Sequence, residues 1–441
     1  MHVAFDDTDS VHSMCTTFLA TEVIDALREW DLIGLPRLVR LNPAVPWKTR
    51  GNGAVSLRFG RGKGQPMLTG TIRGTPIFSY PEMIAPAPES AIRSRCESLL
   101  RKWSRTMEDA SPGMVFSSKL PSSSFYWKGV RDIVEKQDII DELDRIGASR
   151  IELEGGRGII GATCAMSWRP RDRTFEVIAY RQRERWGTER DIDDSSVAKM
   201  DKTFTTTFNN FDHQAGRRAL SPHTPCPVLL GVRGDDPLQL PTAMQAMATE
   251  YVDRWLLWLS NQGTDDHIIR DWRALVPDRS YEVAATVIGG PRTITGGHVV
   301  IDTMTDRGGF DLQMTAYEPS KEFRNIVRAL MPGDRIRALG ELRAEPRTLN
   351  LEKLEVLNVV RAFQKLGNPI CDACGKSMQS LGAGAGYRCR KCGAKAPKEA
   401  AMVQEIGRTI RRGWYEPPVC ARRHLSKPLK RQLAGLEATT L

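Results

Sequence analysis

Asp6, Asp7 and Asp9 crowd into one short stretch, with Ser10 after them and Met14-Cys15-Thr16-Thr17 a few positions on. His2-Val3-Ala4-Phe5 reads as a short strand, and Phe18, Leu19, Val23, Ile24 and Leu27 recur at helical spacing. The carboxylates therefore fall between a strand end and a helix start. Hard oxygen ligands in that position suit Mg²⁺, whose coordination is completed by water and substrate phosphates. The hydroxyls of Thr16 and Thr17 sit near a helix N-terminus, where free N–H groups and the macrodipole favour an anion. The same residues also read as an ordinary N-capping turn with solvated aspartates.

A second cluster lies at 46–53. Lys48 and Arg50 precede Gly51-Asn52-Gly53, followed by an alternating strand. Glycines let a backbone approach phosphate closely, and two cations would neutralise it. Asn-Gly is equally a hairpin signal. Gly155-Gly156-Arg157-Gly158 with Gly161-Ala162 reads as a loop closing over a small ligand or as a compact turn. It lacks the spacing of a dinucleotide fingerprint.

The strongest metal signal is Cys371-x2-Cys374 with Cys389-x2-Cys392. Each pair brackets a tight turn, so two thiolates point at one ion, and together they close a tetrahedral Zn²⁺ site. Upstream, five strands are expected at Tyr281–Ile288, His298–Thr303, Phe310–Glu318, Asp334–Arg343 and Thr348–Leu357. A helix over Lys321–Leu330 separates the third from the fourth. That is the order of an OB-fold, assigned to 278–361, a barrel often used for single-stranded nucleic acid. The zinc ribbon is assigned to 367–397. From 398 to the C-terminus follows a basic tail, read as helical, in which Arg408, Arg411, Arg412, Trp414, Tyr415, Arg422, Arg423, His424, Lys427, Lys430 and Arg431 meet only Glu416. Cations interleaved with aromatics suit phosphate contacts and base stacking.

These clusters must be carried by several cores, because 441 residues exceed one compact domain. A formal charge of +10 favours a polyanionic partner. The cysteine usage points to a reducing compartment rather than a disulfide scaffold. With neither a leader nor a long apolar run, a cytoplasmic location without a membrane is expected, and no obligate protein partner is inferred. Between the clusters lie Phe208–His213, and Asn261–His267 after an expected helix over Ala248–Leu259. No Ser-His-Asp or Cys-His set emerges, and His213 and His267 read as loop residues.

Taken in order, Asp6–Ser10, Met14–Thr17, Pro46–Gly53, Gly155–Ala162, Phe208–Asp212, Gly263–His267, the four cysteines and Tyr415–Leu429 resemble one family across almost the whole chain: the archaeal tRNA-isoleucine 2-agmatinylcytidine synthetase family, TiaS. The resemblance implies an α+β multidomain protein. A kinase-like α/β domain would span 1–145 and a ferredoxin-like domain with the agmatine site 146–275, ahead of the barrel, ribbon and tail. It implies ATP-dependent ligation of agmatine to C2 of the wobble cytidine in the isoleucine tRNA with a CAU anticodon. By the family pattern Asp6, Asp7 and Asp9 bind Mg²⁺ and ATP, with Lys48, Arg50, Gly51 and Gly53 beside the phosphates. Thr16 matches a threonine associated with autophosphorylation. Arg422, Arg423, His424 and Trp414 belong to the tRNA-binding tail. Asp212 or Asp265 is expected to hold the agmatine guanidinium, since guanidinium pairs best with a carboxylate. One departure stands out: family members often carry Gly-Ile before the acidic turn, where this chain has Ala4-Phe5. Two other readings of the residues remain: a Mg²⁺-dependent nuclease or phosphatase, and a non-catalytic RNA-binding protein.

Overall fold

The computed structural model describes residues 1–48 and 51–433. Its first strand, His2–Asp6, runs antiparallel between Gly53–Lys63 and Gly113–Ser117, with Phe5 opposite Val55 and Met114. Alternation along this strand feeds two cores. Val3 and Phe5 pack with Phe18, Leu19 and Val23 of the helix Thr16–Ala26. Ala4 packs with Ile159, Ala162 and Ala165 of the helix Gly158–Ser167. A strand covered on both faces needs apolar residues at every position, which Val-Ala-Phe supplies.

The sheet does not stop at the expected boundary near 145. Ser149–Glu152 pairs with Gly113–Ser117, and the sheet continues through Thr174–Arg181, Val228–Gly234 and Val252–Ser260 to a total of 12 strands. Val252–Ser260 joins the two regions, pairing antiparallel with Met67–Ile72 and parallel with Arg37–Arg40. This corrects the helix expected over Ala248–Leu259. The run Trp255-Leu256-Leu257-Trp258 is buried on both faces, and a short continuous apolar run has the same signature in a buried strand as in a buried helix.

The next unit is a closed barrel. Its strands are Arg279–Val287, Val299–Thr305, Asp311–Ala316, Arg335–Arg343 and Thr348–Asn358. The first pairs with both the second and the fourth, and the third runs parallel to the fifth, which closes the sheet in OB order. The short helix Phe323–Arg328 lies between the third and fourth strands and adds Phe323 and Val327 to the barrel core.

The zinc ribbon stands off the barrel on a two-stranded ladder, Ala362–Gly367 with Met402–Ile406. Its own core is small: Cys371, Met378, Tyr387 and Cys389. Beyond the ladder the chain turns back. Gly413–Tyr415 adds to the barrel strand Thr348–Asn358, and residues 416–433 run over the N-terminal sheet. The basic segment is thus mostly extended and docked rather than a helical arm; within the described residues its only helical pieces before an α-helical turn from 429 are the 3-10 turns Lys398–Ala400 and Val419–Ala421.

Candidate active site

A cavity of about 740 Å³ brings together residues far apart in the sequence. Its lining includes Asp6, Asp7, Asp9 and Cys15–Thr17, then Arg40, Lys48 and Gly51–Gly53, and also Glu176, Arg233 and Arg422–His424.

The acidic turn is shaped by close packing. A Cβ on Gly161 would lie 1.9 Å from Asp6 Oδ2, so only glycine lets the helix Gly158–Ser167 approach this carboxylate. Gly155–Ala162 is therefore the approach to a helix that seats the acidic turn, and Arg157, Gly158, Ile160 and Gly161 also line the cavity. Burial beside that helix pushes the Asp6 carboxyl up to about 8, and neighbouring Asp7 adds to the rise. Asp7 has a left-handed φ of 56°. Its Oδ2 accepts from Arg157 Nε at 3.0 Å and Nη2 at 2.8 Å. Thr8 Oγ1 donates to Thr16 Oγ1 at 3.1 Å, tying the turn to the first residue of the helix Thr16–Ala26. No side chain caps that helix, and the amides of Phe18 and Leu19 donate to the Cys15 carbonyl.

Lys48 lies at the cavity mouth, and Nζ donates to the carbonyls of Pro43 and Val45. Arg50 lies outside the described residues. Gly51 and Gly53 do border the cavity, but their bareness serves another side chain: a Cβ on either would come within 2.7 or 2.9 Å of Arg40 Nη1. Sequence reasoning does not single out Arg40. It ends the strand Arg37–Arg40, and nothing local marks it except the glycines that give it room.

The polar motif after Val252–Ser260 is a junction. Asn261 accepts from the Arg40 amide at 2.7 Å and donates to its carbonyl at 2.8 Å. Gln262 donates to Glu176, and its Oε1 meets His424 Nδ1 at 3.0 Å. Asp265 binds Lys353 Nζ at 2.8 Å and accepts from the Lys427 amide at 2.6 Å. His267 Nε2 meets Glu352 at 2.9 Å, and Glu352 also lies 3.4 Å from Arg423. N-terminal sheet, barrel and returning tail are thus fastened at one place.

This relocates several expected site residues. Asp265 is buried and held by Lys353 and the tail. Asp212 accepts from the amides of Gln214 and Ala215 at 3.1 and 3.0 Å and does not line the cavity. Arg422 pairs with Glu416 at 2.8 Å and donates to Asn209 at 2.8 Å, and Arg423 pairs with Glu341. His424 borders the cavity, and its pKa is held well below the ordinary value, first by the Arg40 charge and then by burial. Trp414 sits half-buried on the barrel edge, opposite Glu355. His213 is exposed and meets Asp201 at 2.9 Å.

The metal centre is Cys371, Cys374, Cys389 and Cys392, whose sulfurs all lie within 4.8 Å of one another. The Cys371–Cys392 and Cys374–Cys389 separations are 3.5 and 3.3 Å. A tetrahedron with Zn–S near 2.3 Å needs sulfurs about 3.8 Å apart, so the donor set fits zinc with small adjustment. Among the described residues no other group of three ligating side chains converges in this way. The aspartates alone form no cage, which suits a cation that takes much of its coordination from a substrate's phosphates. No helix among the described residues is long and apolar enough to cross a membrane.

Comparison with known proteins agrees along the whole chain. Family models match the TiaS TCKD domain at residues 2–155, the TiaS FLD domain at 156–267 and the TiaS C-terminal zinc ribbon domain at 368–410. The isoleucine-tRNA 2-agmatinylcytidine synthetase TiaS of Methanocaldococcus jannaschii is 35% identical, with 98% of each chain covered. Its namesake from Methanopyrus kandleri is 38% identical over 97% of this chain and 96% of its own. Among solved structures, a complex of TiaS with its isoleucine tRNA and ATP superposes with a TM-score of 0.83 at 35% identity, covering 98% of this chain and 97% of that one. A complex of TiaS with the same tRNA, AMPCPP and agmatine gives 0.81 at 32% identity, covering 98% and 96%. On matches of this length and identity, the chain belongs to the TiaS family.

Proposed function

We propose that this protein ligates agmatine, at the expense of ATP, to C2 of the wobble cytidine in the CAU-anticodon isoleucine tRNA, forming 2-agmatinylcytidine so that AUA is read. The observation that carries the proposal is the cavity that joins the acidic turn and Thr16 to a cationic wall, in a chain matched end to end by relatives bearing that name.

The chemistry follows from the substrate. The C2 oxygen of cytosine is a poor leaving group. Transfer of a phosphoryl group from ATP to that oxygen turns it into phosphate. The primary amine of agmatine then attacks C2, the N–C2 bond forms, the C2–O bond breaks, and phosphate departs as the amine gives up its proton. Phosphoryl transfer asks the protein mainly for positioning and charge neutralisation, and the cytidine must leave its stack to reach the site. Asp6, Asp7 and Asp9 would hold ATP through Mg²⁺. Thr16 is the candidate for autophosphorylation, its hydroxyl on the cavity wall. The agmatine guanidinium needs a carboxylate; Glu176 lines the cavity where Asp212 and Asp265 do not, and would exchange its pairing with Arg233 for the ligand. A kinase-like first domain and a ferredoxin-like second one remain part of this reading. Because Arg422 and Arg423 are ion-paired internally, tRNA phosphates fall to exposed cations of the ribbon, such as Arg388, Arg390, Lys391 and Lys395.

The test is incubation with the CAU-anticodon isoleucine tRNA, Mg²⁺-ATP and labelled agmatine, with ATP omitted in parallel. ATP-dependent label in the tRNA is expected. Intact, bound but unlabelled tRNA would leave an RNA-binding protein, and cleaved tRNA would leave a nuclease.

A further inference from the structure

Most of the arginines that line the cavity are met by carboxylates. Around the cavity, Arg157 has Asp7, Arg218 has Asp194, Arg233 has Glu176, Arg422 has Glu416 and Arg423 has Glu341. Arg40 differs. Among the described residues no carboxylate lies within ion-pair distance of it, its buried Nε has no hydrogen-bond partner, and Nη1 reaches only the Gly51 carbonyl, at 3.4 Å.

The side chain is nonetheless held firmly. Asn261 clamps its amide and carbonyl, and Gly51 and Gly53 leave a slot that a single Cβ would close. Burial lowers the basicity of the guanidinium. Glu176, Cys15 and Asp9 support its charge from a distance, while Arg233 opposes it. A buried guanidinium short of partners is costly to keep, and this one is retained in the cavity that the acidic turn and Thr16 also line. A planar fork of donors matches phosphate better than any other anion of this reaction.

We propose that the Arg40 guanidinium is a phosphoryl-binding site that holds the group transferred from ATP and neutralises its charge in the transition state. The proposal rests on the reaction proposed above and adds a residue to it. The glycines of 51–53 then serve phosphate indirectly, by making room for the cation that binds it.

The test compares wild type with Arg40→Met and Arg40→Lys. Thermal unfolding is measured without ligand, with inorganic phosphate and with inorganic pyrophosphate. Arg40→Met is expected to unfold at a higher temperature than wild type without ligand, because an unmet charge is gone, and to lose the stabilisation by either anion. Arg40→Lys should keep part of it. In the agmatine assay Arg40→Met should lower kcat about 100-fold or more with KM for tRNA unchanged. A lower unfolding temperature for Arg40→Met with the anion response intact would make Arg40 a structural residue and overturn the proposal. Lost tRNA affinity with the anion response intact would place it on the RNA backbone and also overturn it. If wild type incorporates no agmatine, the reaction falls, while the anion response still decides the role of Arg40.

Discussion

Asp6 and Glu352 are both carboxylates drawn deep into the protein, and their surroundings treat them in opposite ways. Burial and Asp7 push Asp6 up to about 8 on the cavity wall. Burial would raise Glu352 too, but Arg423 and His267 outweigh it and bring it down to about 2 at the junction. The same contrast separates Arg40, short of partners, from Arg423, met by Glu341 and Glu352. Charges that fasten the sheet, barrel and tail are each met by an opposite charge: Lys353 by Asp265, His267 by Glu352 and Arg423 by Glu341. Among the charged side chains that line the cavity, Arg40 stays short of partners, as a site for a phosphate requires.

The sharpest break of this comparison is Asp7→Asn. Turnover should fall at least about 1,000-fold, roughly 4 kcal/mol of transition-state stabilisation, with unfolding temperature and tRNA affinity little changed. Asp265→Ala should do the reverse. It strands the fully buried Lys353, so denaturant unfolding should report a loss of about 3–5 kcal/mol. Chelation of the ribbon's zinc should weaken tRNA binding roughly tenfold while the main unfolding transition stays in place, since ribbon folding depends on the metal and its core is separate. A further contrast lies in pH dependence. Asp6 binds its proton more tightly folded than unfolded, so ligand-free stability should fall as pH rises from about 4 towards about 8. Asp6→Asn should remove that decline. Glu352 has the opposite sign: its contribution is present above its unfolded pKa and lost as pH falls through about 2. Unfolding curves of Glu352→Gln against pH should lose the acid limb alone.

Much of the barrel and the zinc centre was legible because their signals are local: alternation within a strand, and paired thiolates across tight turns. The acidic turn was legible for the same reason. The strand Val252–Ser260 was not, because burial on both faces erases the period that distinguishes it from a helix. Roles in the junction were hidden by distance along the chain. Asn261 acts on Arg40 and Gln262 acts on His424, and no local pattern records contacts 221 and 162 residues apart. For that reason the charges of 422–424 read as part of a tRNA-binding tail, and Asp265 as a carboxylate for agmatine.

The most direct measurement is a single turnover with ATP labelled in its terminal phosphate, first without agmatine. If the C2 oxygen is phosphorylated before the amine attacks, label appears on the tRNA, and agmatine then discharges it as inorganic phosphate while it becomes attached. Agmatine attachment with no label ever reaching the tRNA would contradict that order.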